Sequence, residues 1–357
     1  MKILVSALES SSNEHLKTLM QEFNEGEIEL FGIFDSSLGK PLYTPKDFSV
    51  MGILDVLKKV FFFMQVQKQM LELAEKVDLV LLLDASSFHI PLAKKIKKKF
   101  PNKPIVYYIL PQVWAWKSWR AKVIESNCDK LGAILPFEVD YYKHKASYVG
   151  HPLLDSIKQF KQSCGGSGIV FMPGSRRSEI RRIFPIFYDL GMRYFRDKEK
   201  ILIVPKLFKE DNLQEIYGDG VKDFVISYDS RESLLNAEFA FICSGTATLE
   251  SAIVGTPFVL GYKTSKFDYF FLSKMTDLKY IGLANIFFNA LNKERPGRGD
   301  SKMHPELVQD AFNVENLFAA YQNTNQQEFF KNSKQIREYL RFGSAKNIAQ
   351  WIRDLSY

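Results

Sequence analysis

Short apolar runs that end in a small or polar turn and give way to a longer amphipathic stretch recur along most of this chain. Strands buried on both faces read as continuous apolar runs, and helices between them cover the faces of a parallel sheet. The pattern predicts an α/β fold. A first series of strands is read at Lys2 to Ser6, Leu30 to Phe34, Asp78 to Leu83, Ile105 to Leu110 and Leu131 to Leu135. A second is read at Ile169 to Met172, Ile201 to Val204, Phe224 to Ser227, Phe239 to Ile242 and Phe258 to Tyr262. Between them, Lys161 to Gly168 is rich in Gly and Ser and reads as a linker. Two α/β halves in tandem suggest a cleft enzyme, with the tail from Phe329 to Tyr357 packing back as helices.

At 357 residues and 46% hydrophobic composition, the chain can build two cores, which excludes a disordered tail or a peptide-sized module. No period of 20 to 50 residues is present, which excludes a solenoid. The 48 Lys and Arg against 41 Asp and Glu leave +7, which suits an anionic substrate, an anionic membrane surface or nucleic acid alike. Three cysteines without CxxC spacing argue against a disulfide framework or a zinc site, and imply a reducing compartment. The apolar run after Lys2 is too short for a secretory signal, and no stretch reaches the ~20 apolar residues of a membrane span. Aromatic content of 14%, with 30 Phe, keeps a membrane-surface role open. Neither HExxH, GxxxxGK[ST] nor GxSxG occurs, so metal catalysis, a P-loop and a lipase elbow are disfavoured.

Several strand ends could carry chemistry. After Cys243, the small turn Ser244-Gly245-Thr246 opens a helix, so free N–H groups and the positive dipole end make an anion site. Glu250, one turn on, can accept from a ribose diol, or it merely favours the helix dipole. Pro173-Gly174-Ser175-Arg176 repeats this logic: Gly174 allows close approach, Ser175 can cap the helix, and Arg176 offers a forked cation to phosphate. Asp84 ends the run Leu79 to Leu83, where ligands bind in open parallel sheets. It reads as a general base that also orients His89, or as a cap for a helix starting near Pro91. Glu9 and Ser11 follow the first strand, as cleft lining or as caps. The rings from Tyr107 to Trp116 can stack on a sugar or fill the core.

Met51 to Met64 is apolar around much of its circumference, with Lys58 and Lys59 adjacent. Phe61, Phe62 and Phe63 occupy different helix faces, so at least one meets lipid, an acyl chain or a partner. Lys94 to Lys99 reads as a solvated face or a contact for anionic headgroups, and less as a nucleic-acid site.

Taken in order, Val50-Met51-Gly52-Ile53, Leu83-Asp84-Ala85, Pro111-Gln112-Val113-Trp114-Ala115-Trp116, Leu135-Pro136-Phe137-Glu138, Val149-Gly150-His151-Pro152, Pro173-Gly174-Ser175-Arg176, Ser244 to Glu250 and Pro305-Glu306-Leu307 resemble the lipid-A-disaccharide synthases over nearly the whole chain. The resemblance implies a GT-B architecture of two Rossmann-like domains facing a cleft. The acceptor and membrane-facing domain would be 1–163, joined by returning helices of about 340–357. The donor domain would be 164–339. It also implies an inverting transfer from UDP-2,3-diacylglucosamine to 2,3-diacylglucosamine 1-phosphate, with UDP leaving. Cofactors and metal are expected to be none.

On this resemblance Arg176, Ser175 and the turn Ser244, Gly245 and Thr246 hold the diphosphate, and Glu250 holds the ribose. Asp84 is the base, Glu9 is counted with it as catalytic, and Ser11 and Asn285 line the substrate site. Met51, Ile53, Leu54, Leu57, Phe61, Phe62 and Phe63 face acyl chains or membrane. The implied location is cytoplasmic, peripheral on the inner face of the inner membrane, with no nucleic-acid partner and the oligomeric state open. This chain departs from the family pattern at Ala7 to Asn13, which usually reads close to AGEASGD. It departs again at Ser87 and His89, usually Asp and Asn, and at Leu283-Ala284-Asn285, usually Leu-Pro-Asn. Another GT-B UDP-GlcNAc transferase or epimerase, or a non-catalytic lipid- or nucleotide-sugar-binding protein, are the competing readings.

Overall fold

The computed structural model describes residues 1–49, 56–243, 245–265 and 277–355, apart from the side chains of residues 10, 49 and 56–59. Its packing divides into two units, Met1–Ser156 with Leu340–Tyr357, and Ile157–Tyr339.

The first unit is built on β1 (Lys2–Ala7), β2 (Glu29–Ile33), β3 (Leu79–Leu83), β4 (Ile105–Tyr108), β5 (Lys130–Ala133) and β6 (Ala146–Tyr148). They form one parallel sheet in the order β2-β1-β3-β4-β5-β6. Both faces are covered, which is why these strands read as unbroken apolar runs. Ile3, Val5 and Ala7 share one core with Leu16, Leu19, Ile348 and Ile352. Leu4 turns the other way, into a core with Val66, Met70, Leu92 and Ile96.

Ile348 and Ile352 belong to the helix Ser344–Asp354, so the end of the chain helps cover the first sheet. Full burial of each side chain is worth roughly 1.5–3 kcal/mol. The start of this helix is fixed by Asp155, whose carboxylate accepts from the N–H groups of Gly343 (2.7 Å) and Ala345 (2.9 Å). Asn347 donates to the Val149 carbonyl at 2.9 Å, and Tyr108 meets Ser344 at 2.7 Å.

The second unit repeats the plan with β7 (Ile169–Met172), β8 (Lys200–Ile203), β9 (Val225–Ser227), β10 (Phe239–Ile242), β11 (Phe258–Tyr262) and β12 (Glu306–Val308), parallel in the order β12-β11-β10-β7-β8-β9. Its core is aromatic. Phe171 stacks on Phe241 at 5.5 Å, and Phe187, Phe239 and Phe312 are fully buried around them. Much of the phenylalanine that kept a membrane role open in the sequence therefore fills this core.

The α/β class holds, as do the strand readings within a few residues at each end. β6 and β12 are absent from the sequence reading because each is a three-residue edge strand, half-exposed and partly polar, with no apolar run to mark it.

The linker reading fails. Lys161 donates its backbone N–H to the Val254 carbonyl (2.9 Å) and its ammonium to the carbonyls of Gly165 (2.6 Å) and Ala237. A Cβ at Gly166 would sit 2.3 Å from the Ala237 carbonyl oxygen, so this glycine serves close backbone approach rather than flexibility. Among the described residues, no helix is long and apolar enough to cross a membrane.

Candidate active site

Each sheet has one place where chain order reverses. In the first unit β2 and β3 flank β1 on opposite sides, and in the second β8 and β10 flank β7. Loops leaving the carboxyl ends of the two strands at such a switch point diverge and leave a crevice, where ligands of open α/β sheets bind. Glu9 and Asp84 follow β1 and β3, while Arg176 and the 244–246 turn follow β7 and β10.

In the first unit, Ala7 registers with Leu83, so Glu9 and Asp84 leave the sheet at the same end. Asp84 and Ala85 both adopt left-handed backbone, φ +58° and +34°. For residues other than glycine this costs roughly 1–3 kcal/mol each and persists only where neighbours over-determine it. Here the Asp84 carbonyl is gripped twice, by His89 Nδ1 at 2.7 Å and by the Tyr107 hydroxyl at 2.6 Å. Asp84 itself is half-buried. Burial, then the negative charge of Glu9, push its carboxyl up to about 6, against a smaller opposing effect of the Ala85 N–H. A carboxylate of that strength is a better proton acceptor than a solvated one and is still ionised at neutral pH.

His89 is fully buried, and its ring is pushed down to about 4 by desolvation, so it is neutral. A carbonyl can only accept, hence Nδ1 carries the proton and Nε2 accepts from the Ser6 hydroxyl at 2.8 Å. The ring has no free nitrogen for a substrate proton. The sequence reading had Asp84 orienting His89; the contact runs the other way, from the ring to the Asp84 backbone. The cap reading of Asp84 also falls, since the helix begins at Ser86 with Ala85 at its N-cap and Pro91 inside it.

Glu9 and Ser11 are exposed at the start of the helix Ser10–Met20, and Glu9 makes no side-chain cap. Asn13 does the local work instead. Its amide donates to the carbonyls of Ala7 and Glu9, both at 2.8 Å, and accepts from Asp35 N–H at 2.7 Å. Tyr107 and Tyr108 are buried, which settles their rings as core rather than sugar platforms.

In the second unit, β7 and β10 pair so that Cys243 N–H donates to the Met172 carbonyl at 2.8 Å, and the two turns emerge side by side. Gly174 (φ +116°) lies against both: a Cβ there would meet Glu179 Oε2 at 2.9 Å and Cys243 Sγ at 3.5 Å. The expected Ser175 cap is not made, because the helix Arg177–Tyr194 takes Arg176 as its N-cap with no side-chain hydrogen bond. Ser175 is exposed, and the Arg176 side chain, 79% exposed, touches only Glu179 at 3.3 Å among the described residues.

Ser244 lies outside the described residues. Gly245 (φ +113°) precedes the helix Thr246–Val254, whose positive dipole end opens at this turn, with the Thr248 N–H donating back to the Gly245 carbonyl at 3.2 Å. Among the described residues Glu250 is held by Arg231 (3.0 Å) at one carboxylate oxygen and by Ser230 (2.9 Å) at the other, and a carboxylate oxygen can accept more than one hydrogen bond. The far end of this helix is fixed by Ser333 and Arg337, which donate to the carbonyls of Ala252 and, at 2.6 Å, Ile253. A cation at that end also suits the helix dipole.

The model of the lipid-A-disaccharide synthetase family matches residues 3–349. The chain belongs to this family. It is 53% identical over 350 residues to the lipid-A-disaccharide synthase of Helicobacter pylori, covering 97% of this chain and 96% of that one. It is 54% identical over 353 residues to that of Helicobacter acinonychis, covering 98% and 97%. Among solved structures, a Methanocaldococcus jannaschii UDP-GlcNAc 2-epimerase in complex with UDP-GlcNAc and UDP aligns with a TM-score of 0.58 at 14% identity over all of both chains. That likeness shows the shared GT-B fold. This member of the synthase family is thus a glycosyltransferase.

Two sets of expected positions in this synthase-family chain behave differently from the rest. Asn285 is fully buried, and its amide is spent inside the protein. It donates to the His304 carbonyl (3.0 Å) and Glu306 (2.8 Å), and accepts from the N–H groups of Met303 (2.7 Å) and His304 (3.2 Å). These four contacts tie the helix Leu283–Leu291 to the segment 303–306.

Of the apolar positions, Met51, Ile53 and Leu54 lie outside the described residues, and Leu57 is placed by its backbone alone, in the helix Val56–Leu73. Phe61 is 71% exposed, flanked by exposed Val60 and Met64. Phe62 and Phe63 are partly buried and turn toward the first core. They pack with Tyr43, Phe48 and Phe88 at ring distances of 5.4 to 5.7 Å. Trp116 and Trp119 are also exposed, with Lys117 and Arg120 over their rings. Arg120 reaches back to Ser86, two residues from Asp84, at 3.1 Å.

Proposed function

We propose that this chain joins UDP-2,3-diacylglucosamine to 2,3-diacylglucosamine 1-phosphate, with Asp84 as the general base. The acceptor 6-hydroxyl oxygen attacks the anomeric carbon of the donor as the bond from that carbon to the diphosphate breaks. The hydroxyl proton passes to the Asp84 carboxylate, and the electron pair leaves with UDP. The products are the tetraacyl disaccharide 1-phosphate and UDP, with inversion at the anomeric centre.

Charge on the departing diphosphate is met by Arg176 and by the N–H groups of Thr246 and Ala247 at the positive dipole end of the helix Thr246–Val254, with Ser175, Ser244 and Gly245 also assigned to these turns. Glu250 accepts from the ribose hydroxyls. Glu9 acts on Asp84 through its charge, and Ser11 stands on the same exposed rim. The family match over residues 3–349 carries the choice of reaction. For the base, support comes from a carboxylate at a switch point whose surroundings push it up to about 6.

The first unit is the acceptor unit and the second the donor unit on this reading. Its exposed Val60, Phe61 and Met64, together with Trp116, Trp119 and their cations, rest on the inner face of the inner membrane, from which both acylated sugars come.

Mass spectrometry of products from the purified protein, UDP-diacylglucosamine and the acylated sugar phosphate tests the assignment. It should find a tetraacyl disaccharide and stoichiometric UDP. Release of UDP without the disaccharide, or epimerised UDP-sugar, would contradict it.

A further inference from the structure

We propose that His89, held in its Nδ1–H tautomer by the Asp84 carbonyl, is a positioning residue that aims the Asp84 carboxylate by fixing the Asp84 peptide. The inference rests on Asp84 being the base. Two consecutive non-glycine residues with left-handed backbone, Asp84 and Ala85, set the direction in which that side chain leaves the strand. The Asp84 carbonyl has two lone pairs, and both are engaged, by His89 Nδ1–H at 2.7 Å and Tyr107 O–H at 2.6 Å.

The ring can donate only while its proton stays on Nδ1. The Asp84 carbonyl, which can only accept, requires this, and Ser6, fully buried in β1, gives its hydroxyl to the Nε2 lone pair at 2.8 Å. Were the tautomer reversed, a ring lone pair would face the carbonyl oxygen, and Tyr107 alone would hold the peptide. The remaining charged groups around Asp84 do not replace this grip. Glu9 acts through charge alone, and Arg120 donates to Ser86.

Stereochemistry supplies a discriminating pair of variants. The Asn amide nitrogen sits where imidazole Nδ1 sits, whereas the Gln amide nitrogen sits where Nε2 sits. His89→Asn therefore keeps the donor to the Asp84 carbonyl, and His89→Gln keeps only the Ser6 side. His89→Asn should stay within about threefold of wild-type kcat. His89→Gln should lose roughly 10- to 100-fold in kcat, with both KM values within about twofold, as expected when a reacting group is misplaced by a fraction of an ångström to an ångström. Equal kcat for the two variants, or a KM effect without a kcat effect, overturns the proposal.

Nitrogen-15 NMR of the histidine-labelled wild-type protein gives a readout that needs no variant. A neutral ring protonated at Nδ1 is expected for His89, and protonation at Nε2 overturns the proposal. Asp84→Asn separates this inference from the reading beneath it. If that variant turns over normally, the base assignment fails whatever His89 does. If it is inactive while His89→Gln is normal, the positioning role alone fails.

Discussion

The parallel register that pairs Ala7 with Leu83 brings Glu9 and Asp84 out at the same end of neighbouring strands, and the charge of Glu9 is the second cause, after burial, that raises Asp84 to about 6. A base must be ionised to act, so kcat/KM should fall with decreasing pH through an apparent pKa near 6. Glu9→Gln removes the like charge and should move this acid limb to lower pH. Because burial is the larger cause, the limb should stay above the usual carboxylate range. A pH–rate series on both proteins checks this, and an unmoved or upward-shifted limb would contradict the coupling.

The same pKa has a consequence for stability. Between the unfolded carboxyl value of about 4 and the folded value, the unfolded chain has already released a proton that the folded chain retains. The unfolded state binds fewer protons there, so stability falls as pH rises through this window, and the full penalty is present above it. Asp84→Asn carries no such penalty, and Asn tolerates left-handed backbone. After discounting for partial exposure, the variant should be more stable at pH about 7.5 by roughly 1–2 kcal/mol. Thermal melts at two pH values test the sign: the gain should shrink toward pH about 4.5, and a gain that grows on acidification would be inconsistent with it.

Arg176 offers a contrast, because its exposed contact with Glu179 contributes little to folding. Arg176→Ala should leave the melting temperature within about a degree while weakening UDP binding by roughly 1.5–3 kcal/mol, about 10- to 150-fold in Kd. Calorimetry with UDP reads the second quantity. Unchanged affinity would remove Arg176 from the diphosphate site.

Membrane contact is assigned to outward side chains, so the inward ones serve as controls. Phe61→Ser should reduce co-sedimentation with anionic phospholipid vesicles at little expense in stability, since Phe61 is 71% exposed. Phe63→Ser should instead lower the melting temperature by opening the cluster with Phe48 and Phe88. Equal vesicle binding by wild type and Phe61→Ser would argue against this face.

Much of the fold was legible because buried parallel strands advertise themselves as apolar runs, and the turns after Ile242 and Leu83 follow the ends of such runs. Edge strands such as Ala146–Tyr148 bury too little to leave a signal. The roles of Asn13, His89 and Asn285 were not legible for a different reason. Each is defined by the direction of its hydrogen bonds to groups that folding brings near, for Ser6 and His89 across 83 positions. Residue type tells that Asn285 can hydrogen-bond, but only the loop folded over it shows that His304, Met303 and Glu306 use all of that capacity. Phe61 to Phe63 were read correctly as unable to share one core, while the identity of the outward ring depended on where Phe48 and Phe88 lie.

Turnover by Asp84→Asn, measured alongside its affinity for UDP, tests the base assignment most directly. Loss of the proton acceptor should lower kcat by about 10²-fold or more while UDP binds as in the wild type. An Asp84→Asn protein that forms the disaccharide at close to the wild-type rate would show that the proton goes elsewhere.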